Sequence, residues 1–92
     1  MITLEDCLAF CGLTEAEVLA IAEHEHIPEV AAAGLANYLL CSDHGAERIR
    51  EMIVDDLVEA HRRNDTTHAR DLAMVLRHFL ATHPEAGGST QA

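Results

Sequence analysis

Acidic and histidine side chains are concentrated in one short stretch of the sequence, residues 23–29. The stretch begins with Glu23-His24-Glu25-His26 and ends at Glu29, so five side chains with potential ligand atoms fall close together. Carboxylate oxygens and imidazole nitrogens bind divalent metal ions when they converge on one point. One hypothesis is therefore a metal-binding protein that holds Fe, Zn or Mn. The alternative interpretation is a solvated helix end and turn without a ligand.

The spacing of Glu23 and His26 resembles a ligand motif of the ferritin-like di-iron proteins. In those helical bundles, a Glu-x-x-His sequence on one helix directs two ligands inward. The nearest second pair in this sequence is Asp65-x-x-His68, where Asp stands in place of Glu. The resemblance covers four residues and implies an ion held between this segment and another helix.

Three ionisable residues, Glu25, Asp56 and His68, interrupt rows of apolar residues at helical spacing. Each is expected to face inward, because positions that recur at this spacing share one side of a helix. A buried carboxylate must find a partner or stay protonated. One interpretation is a carboxylate–imidazole contact between Asp56 and His68, and the alternative is that these positions face a wet groove or make a structural hydrogen bond with the backbone or an Arg. The candidate metal ligands are Glu23, Glu25, His26, Glu29, Asp56, His61 and His68.

The overall charge excludes several classes of partner. The 92 residues include 16 acids and six basic residues, all of them Arg, which gives a formal charge of −10. Nucleic acids and anionic membranes attract clustered positive charge, so we expect the chain to bind neither. Residues 1–47 carry nine of the acids and no Lys or Arg. This half is interpreted either as a solubilising surface or as a surface for a basic protein partner.

Motifs of the common enzyme classes are missing from the sequence. It contains no phosphate-binding Gly-x-x-x-x-Gly-Lys loop, no dinucleotide-binding Gly-x-Gly-x-x-Gly and no Gly-x-Ser-x-Gly elbow. No catalytic activity is therefore evident from the sequence. Because the first residues lack a basic start and no apolar run is long enough to span a membrane, we expect it to be cytoplasmic.

The apolar spacing predicts an all-α fold, a compact bundle of about five helices. With any cap residue included, helices are predicted over residues 3–11, 14–25, 28–40, 43–63 and 65–82. Thr14 and Glu17 form a capping box before the second helix, Ser42 or Asp43 is the expected cap of the fourth, and Asp65 or Thr66 is the expected cap of the fifth. The last two helices are separated by two or three residues and should form an antiparallel hairpin. We expect one domain over residues 1–83, followed by a disordered tail over residues 84–92.

The predicted helix over residues 28–40 is apolar nearly all round, with Glu29 and Asn37 as the exceptions. Such a helix is expected to be buried on most sides. A chain of this length has few other helices with which to cover it. The sequence therefore predicts a protein that acts by protein–protein association, as a homo-oligomer with a dimer favoured, or as an adaptor.

Overall fold

A computed structural model describes residues 13–87 as four α-helices followed by one turn of 3-10 helix. The α-helices are α1 (Glu15–Glu25), α2 (Glu29–Leu40), α3 (Gly45–Arg62) and α4 (Thr66–Thr82), and the 3-10 helix is Pro84–Ala86. The all-α prediction is confirmed, since no strand occurs within the described range. The helix predicted over residues 3–11 lies outside the described residues.

Two helices begin at side-chain caps that the sequence predicted. At the start of α1, the Thr14 hydroxyl accepts a hydrogen bond from the Glu17 backbone N–H at 3.2 Å. The Glu17 carboxylate in turn accepts from the Thr14 N–H at 3.0 Å, which completes the capping box. At the start of α4, the Asp65 carboxylate accepts from the His68 N–H at 3.2 Å. These caps satisfy N–H groups that have no partner within the helix.

The start of α3 differs from the prediction of a Ser42 or Asp43 cap. Residue His44 precedes the helix with a left-handed backbone, φ 61°, and the Ser42 hydroxyl donates instead to the Tyr38 carbonyl at 2.8 Å. Gly45 follows because a Cβ there would lie 1.4 Å from the backbone carbonyl oxygen of Leu39. Close contact between backbones therefore determines this corner, and side-chain capping does not.

The core is mainly aliphatic, with Phe79 as its one aromatic member among the described residues, and lies where the four helices meet. The hairpin of α3 and α4 forms its base, α1 packs on both of these helices, and α2 packs on α1 and α3. The predicted inward rows of α3 and α4 are confirmed, because their main members are buried. The largest fully buried apolar side chains are Phe79, Ile21, Ile49, Ile53 and Val18. None of the helices in residues 13–87 is both long enough and apolar enough to cross a membrane.

The chain stays folded beyond the point where the sequence predicted a disordered tail. Residues Pro84–Ala86 form the 3-10 helix, which packs against α3 and α4, and Ala86 is fully buried. The rings of Phe79 and His83 stack with their centroids 4.6 Å apart just before this turn. A tail beginning at residue 84 was therefore the wrong boundary, since Ala86 is small enough to enter the core. The last five residues, 88–92, lie outside the description.

Candidate functional site

Carboxylates and imidazoles from α1, α3 and α4 meet beside the C-terminal half of α1. The Nε2 atom of His68 on α4 lies 2.9 and 3.1 Å from the two carboxylate oxygens of Glu23 on α1. The Nε2 atom of His24 lies 3.0 Å from Oδ2 of Asp55 on α3, and its Nδ1 lies 2.7 Å from Glu25. Successive residues of α1 therefore connect it to two different helices.

The position of His24 between two carboxylates changes its proton affinity. Desolvation by burial lowers the pKa of His24, but hydrogen bonds with Glu25 and Asp55 favour the charged ring. The hydrogen bonds, with the charges of Asp56 and Glu25, outweigh burial, and the pKa of His24 is raised. His24 therefore stays positively charged to a higher pH than an isolated histidine, which strengthens the connection between α1 and α3.

Asp56 is the buried acid of this region. It is 6% exposed, and its Oδ2 atom has no hydrogen-bond partner among the described residues. Desolvation, together with the negative charge of Glu23, raises the pKa of Asp56 to about 6, although His24 and His68 act in the opposite direction. Ionised and unpartnered carboxylates are costly in a protein interior. Packing alone does not account for an acid at this position.

An open cavity of about 290 Å³ lies beside Asp56. We call it the acidic cavity, and its lining residues are Glu23, His24, His26, Asp55, Asp56, Glu59 and Arg63. The lining includes four carboxylates and a single guanidinium. Because the walls also exclude part of the solvent, the excess of carboxylates gives the cavity a negative potential that attracts cations.

The structure brings Glu23, Asp56 and His68 together and places His26 beside the same cavity, whereas His61 lies apart from them. Glu23 and His68 form a hydrogen-bonded pair, and both act electrostatically on Asp56. Asp56 is buried as predicted. The imidazole of His68 is hydrogen-bonded to Glu23 and not to Asp56. His61 is exposed on α3, away from the acidic cavity. The sequence thus located the region but not the pairing.

The remaining predicted residues lie at the ends of helices. The inward orientation predicted for Glu25 is wrong. Glu25 is the last residue of α1, and its side chain is exposed. His26 caps the C-terminus of α1 with a left-handed backbone, φ 57°, and lines the acidic cavity. Glu29 begins α2 and has a buried Oε2 atom without a partner in the described chain.

The side chains of this region are not arranged as a metal site. Within residues 13–87, no three His, Cys, Asp or Glu side chains are placed to hold a metal ion together. The imidazoles of His24 and His68 are paired with carboxylates instead. These contacts direct the Glu23 and Asp55 carboxylates toward separate histidines, whereas ligands of one ion would converge.

A second buried acid, Glu17, was identified in the sequence only as a capping residue. It is 0% exposed, and its Oε2 atom lies 2.7 Å from Nδ1 of His78 on α4. Its other oxygen accepts from the Thr14 N–H. The capping-box pattern was the available signal for Glu17, whereas His78 is 61 positions away and no local pattern relates the two residues.

The outward side of α2 forms an exposed surface without a charged residue. We call this surface the outer face of α2, and it consists of Val30, Ala31, Gly34, Asn37, Tyr38 and Cys41. Val30 is 57% exposed and Tyr38 is 68% exposed, although both are large. The single chain therefore covers this helix only in part, as expected for a chain with few other helices. Its neighbours α1 and α3 cover only the opposite side, which carries the buried Ala32, Ala33 and Ala36.

Comparisons with protein-family models, with curated proteins and with solved structures find no match to this chain. Two surfaces of the described chain are candidates for binding. The outer face of α2 is apolar and uncharged, and the acidic cavity is polar and strongly acidic. Because these two surfaces differ in chemistry, they suit different kinds of ligand.

Proposed function

We propose that the protein acts by association, and that the outer face of α2 packs against the same face of a second copy. The supporting observation is a helix surface of six exposed residues without a charge, in a chain whose residues are 24% charged. Contiguous exposed apolar surface marks protein–protein contact sites more often than ordinary solvated surface. The proposal gives the apolar character of this helix a physical role.

The order of residues along the outer face of α2 suits a two-fold symmetric contact. Val30 and Tyr38 lie four positions before and after Gly34. In an antiparallel pair of α2 helices centred on Gly34, Val30 of each copy would pack beside Tyr38 of the other, as a self-complementary interface requires. The space around Gly34 is open, with nothing within 4 Å of an added Cβ. A small residue at the crossing point allows two helix backbones to approach closely.

The acidity of the chain does not oppose this contact. Glu29 is the only charged residue between positions 27 and 42, so the acidic groups lie elsewhere on each copy. Repulsion between exposed charges is screened over a distance of about 8 Å at physiological ionic strength. Association is therefore expected to strengthen when salt is added, because hydrophobic contact persists while the repulsion weakens.

Replacing Gly34 tests the interface without disturbing the single chain. Gly34→Arg places a long charged side chain at the crossing point, where the isolated subunit has room for it. We expect the wild type to sediment as a dimer at micromolar concentration, and Gly34→Arg to sediment as a monomer with unchanged helix content. The matched control is Met74→Arg, which adds the same charge at a 65% exposed apolar residue of α4. This control should remain a dimer.

Two results would contradict the proposal. One is a wild type that sediments as a monomer throughout the micromolar range. The other is a dimer that Gly34→Arg leaves intact, which would place the contact on a different surface. The cytoplasmic location and the basic protein partner stay predictions of the sequence. The symmetric spacing of Val30, Gly34 and Tyr38 favours a second copy over an adaptor role.

A further inference from the structure

We infer that the acidic cavity is a binding site for a cationic nitrogen group, a primary ammonium or a guanidinium, with the Asp56 carboxylate as its anchor. This site is distinct from the outer face of α2. It therefore has a test that does not depend on self-association.

The first observation is the missing donor at Asp56. Nearly all buried polar atoms in folded proteins have a hydrogen-bond partner. The Oδ2 atom of Asp56 has none within the described part of the chain, although the residue is only 6% exposed and forms part of the cavity wall. Because Asp56 forms part of the cavity wall, an N–H group bound in the cavity would bring a donor to this carboxylate. A cationic donor would also compensate the charge of the carboxylate.

The second observation is the distribution of the other carboxylates. Glu23 and Asp55 already interact with imidazoles, at 2.9 Å and 3.0 Å respectively. Glu59 lies three positions after Asp56 on α3 and lines the same cavity, and its contact with Arg62 is a loose 3.4 Å. Asp56 and Glu59 are therefore the acceptors with capacity for a ligand, while Glu23 and Asp55 add to the negative potential.

The geometry favours an organic cation over a metal ion. A divalent ion needs several ligand atoms converging at about 2.0–2.6 Å, and no such group of three occurs in residues 13–87. An ammonium has three N–H donors and a guanidinium has five, so either can bind acceptors that are spread around a cavity. The volume of about 290 Å³ also exceeds what a single bare ion occupies.

Arg63 offers a substitution that should raise the affinity of the acidic cavity for a cation. It is the one Arg among the residues that line the acidic cavity, and the lining contains no Lys. Its positive charge repels a cationic ligand and competes with it for the carboxylates. Removing this charge should therefore strengthen binding, whereas removing the charge of Asp56 should weaken it. A nonspecific attraction to the acidic protein would not depend on one buried position.

The experiment is calorimetric titration of the full-length protein at low ionic strength with two probes. Spermidine represents a free polyamine, and a blocked Gly-Arg-Gly peptide represents the side chain of a basic protein. We expect at least one probe to bind the wild type. Asp56→Asn should lower the affinity for that probe by about tenfold or more, which corresponds to the loss of one charge-assisted hydrogen bond. Arg63→Gln should raise the affinity several-fold. The probe that binds identifies the source of the cation.

The matched control is Glu51→Gln, which removes one exposed carboxylate from the same helix outside the acidic cavity. It should change the affinity by less than about twofold, because its charge is screened by solvent. Equal binding by Asp56→Asn and Glu51→Gln, or no binding of either probe, would overturn the inference. If Mn²⁺ displaces a bound probe, and this displacement requires Asp56, the inference would also be overturned in favour of a metal site. Gly34→Arg should bind the probes normally, so a failure of the proposed dimer does not affect this result.

Discussion

Glu17 and Asp56 are the two carboxylates that lie in the interior of the described residues, and their surroundings are opposite. Glu17 is 0% exposed, and both of its oxygens have partners, the Thr14 N–H and the ring of His78. Asp56 is 6% exposed, and its Oδ2 atom has no hydrogen-bond partner among residues 13–87. The comparison shows that burial alone does not decide whether an acid stabilises a fold. The presence of donors around the acid decides it.

The two acids are expected to have different roles for this reason. Glu17 fixes the start of α1 and connects that helix to α4, so its carboxylate belongs to the architecture. Asp56 lines the acidic cavity, and desolvation raises its pKa to about 6. A residue that reduces stability at neutral pH and faces a cavity is typical of a binding site.

The largest loss of stability is expected when Glu17 is truncated. Glu17→Ala removes both hydrogen bonds and leaves the Thr14 N–H without its acceptor, so the free energy of unfolding should fall by about 3 kcal/mol. Urea unfolding at neutral pH measures this change. Glu15→Ala, an exposed acid of the same helix turn, is the control and should change little. A loss below about 1 kcal/mol for Glu17→Ala would show that the buried contacts of Glu17 are not stabilising.

Removing the charge of Asp56 should stabilise the protein, whereas truncating Glu17 should destabilise it. The pKa of Asp56 lies about 2 pH units above the ordinary value of 3.8, which corresponds to about 3 kcal/mol of destabilisation once it is ionised. Asp56→Asn keeps the shape of the side chain and removes the charge, so it should raise the free energy of unfolding at pH 8 by up to this amount. A variant less stable than the wild type at pH 8 would contradict the comparison of Asp56 with Glu17.

The pH dependence of stability gives a second test of the raised pKa of Asp56. Because the pKa of Asp56 is raised in the folded state, the folded chain binds the proton more tightly than the unfolded chain. The contribution of Asp56 to stability should therefore fall as pH rises from about 4 to about 6, and stay constant above that range. The raised pKa of His24 should add a further loss as pH rises above 6.5.

Several charged groups surround Asp56, and the difference between two proteins separates its contribution from theirs. Glu23 and His24 on α1, Asp55 on α3 and His68 on α4 act on it, and they remain in Asp56→Asn. Urea unfolding of both proteins at a series of pH values gives the difference directly. A difference that does not change between pH 4 and pH 7 would show that Asp56 titrates normally.

The smallest effect is expected at the half-exposed pair of His68 and Glu23. Their side chains are 35% and 36% exposed, and pairs with this degree of solvent contact contribute little. His68→Gln should lower the free energy of unfolding by less than about 1 kcal/mol, and added salt should reduce the effect. A loss as large as that of Glu17→Ala would mean that exposure does not distinguish the two carboxylate–imidazole pairs.

Local patterns in the sequence were sufficient for most of the fold. The predicted helices over residues 14–25, 28–40, 43–63 and 65–82 agree with α1 to α4 within two residues at each end. The capping box of Thr14 and Glu17 and the cap at Asp65 were correct. The cap predicted before Gly45 was wrong, because the geometry of that corner depends on the close approach of the Leu39 backbone. A helical period and a cap involve neighbouring residues, whereas a backbone approach does not.

The candidate site was predicted only in part. The stretch over residues 23–29 and the interrupting residues Asp56 and His68 include several of the side chains that meet beside α1. The contacts of His24 with Asp55 and of Glu23 with His68 join residues that are 31 and 45 positions apart. The inward position predicted for Glu25 assumed that a helix is covered along its whole length. Glu25 is the last residue of α1, and the neighbouring helices leave it exposed.

The sequence by itself determined the helical class, the helix boundaries and the acidic charge. These properties follow from residue composition and from spacings of three or four positions, which act within one turn of a helix. Only the tertiary structure decided which acid has donors, which acid lines a cavity and which side of α2 stays open. Burial and proton affinity depend on groups supplied by other helices, because desolvation and hydrogen bonding act through space and not along the chain.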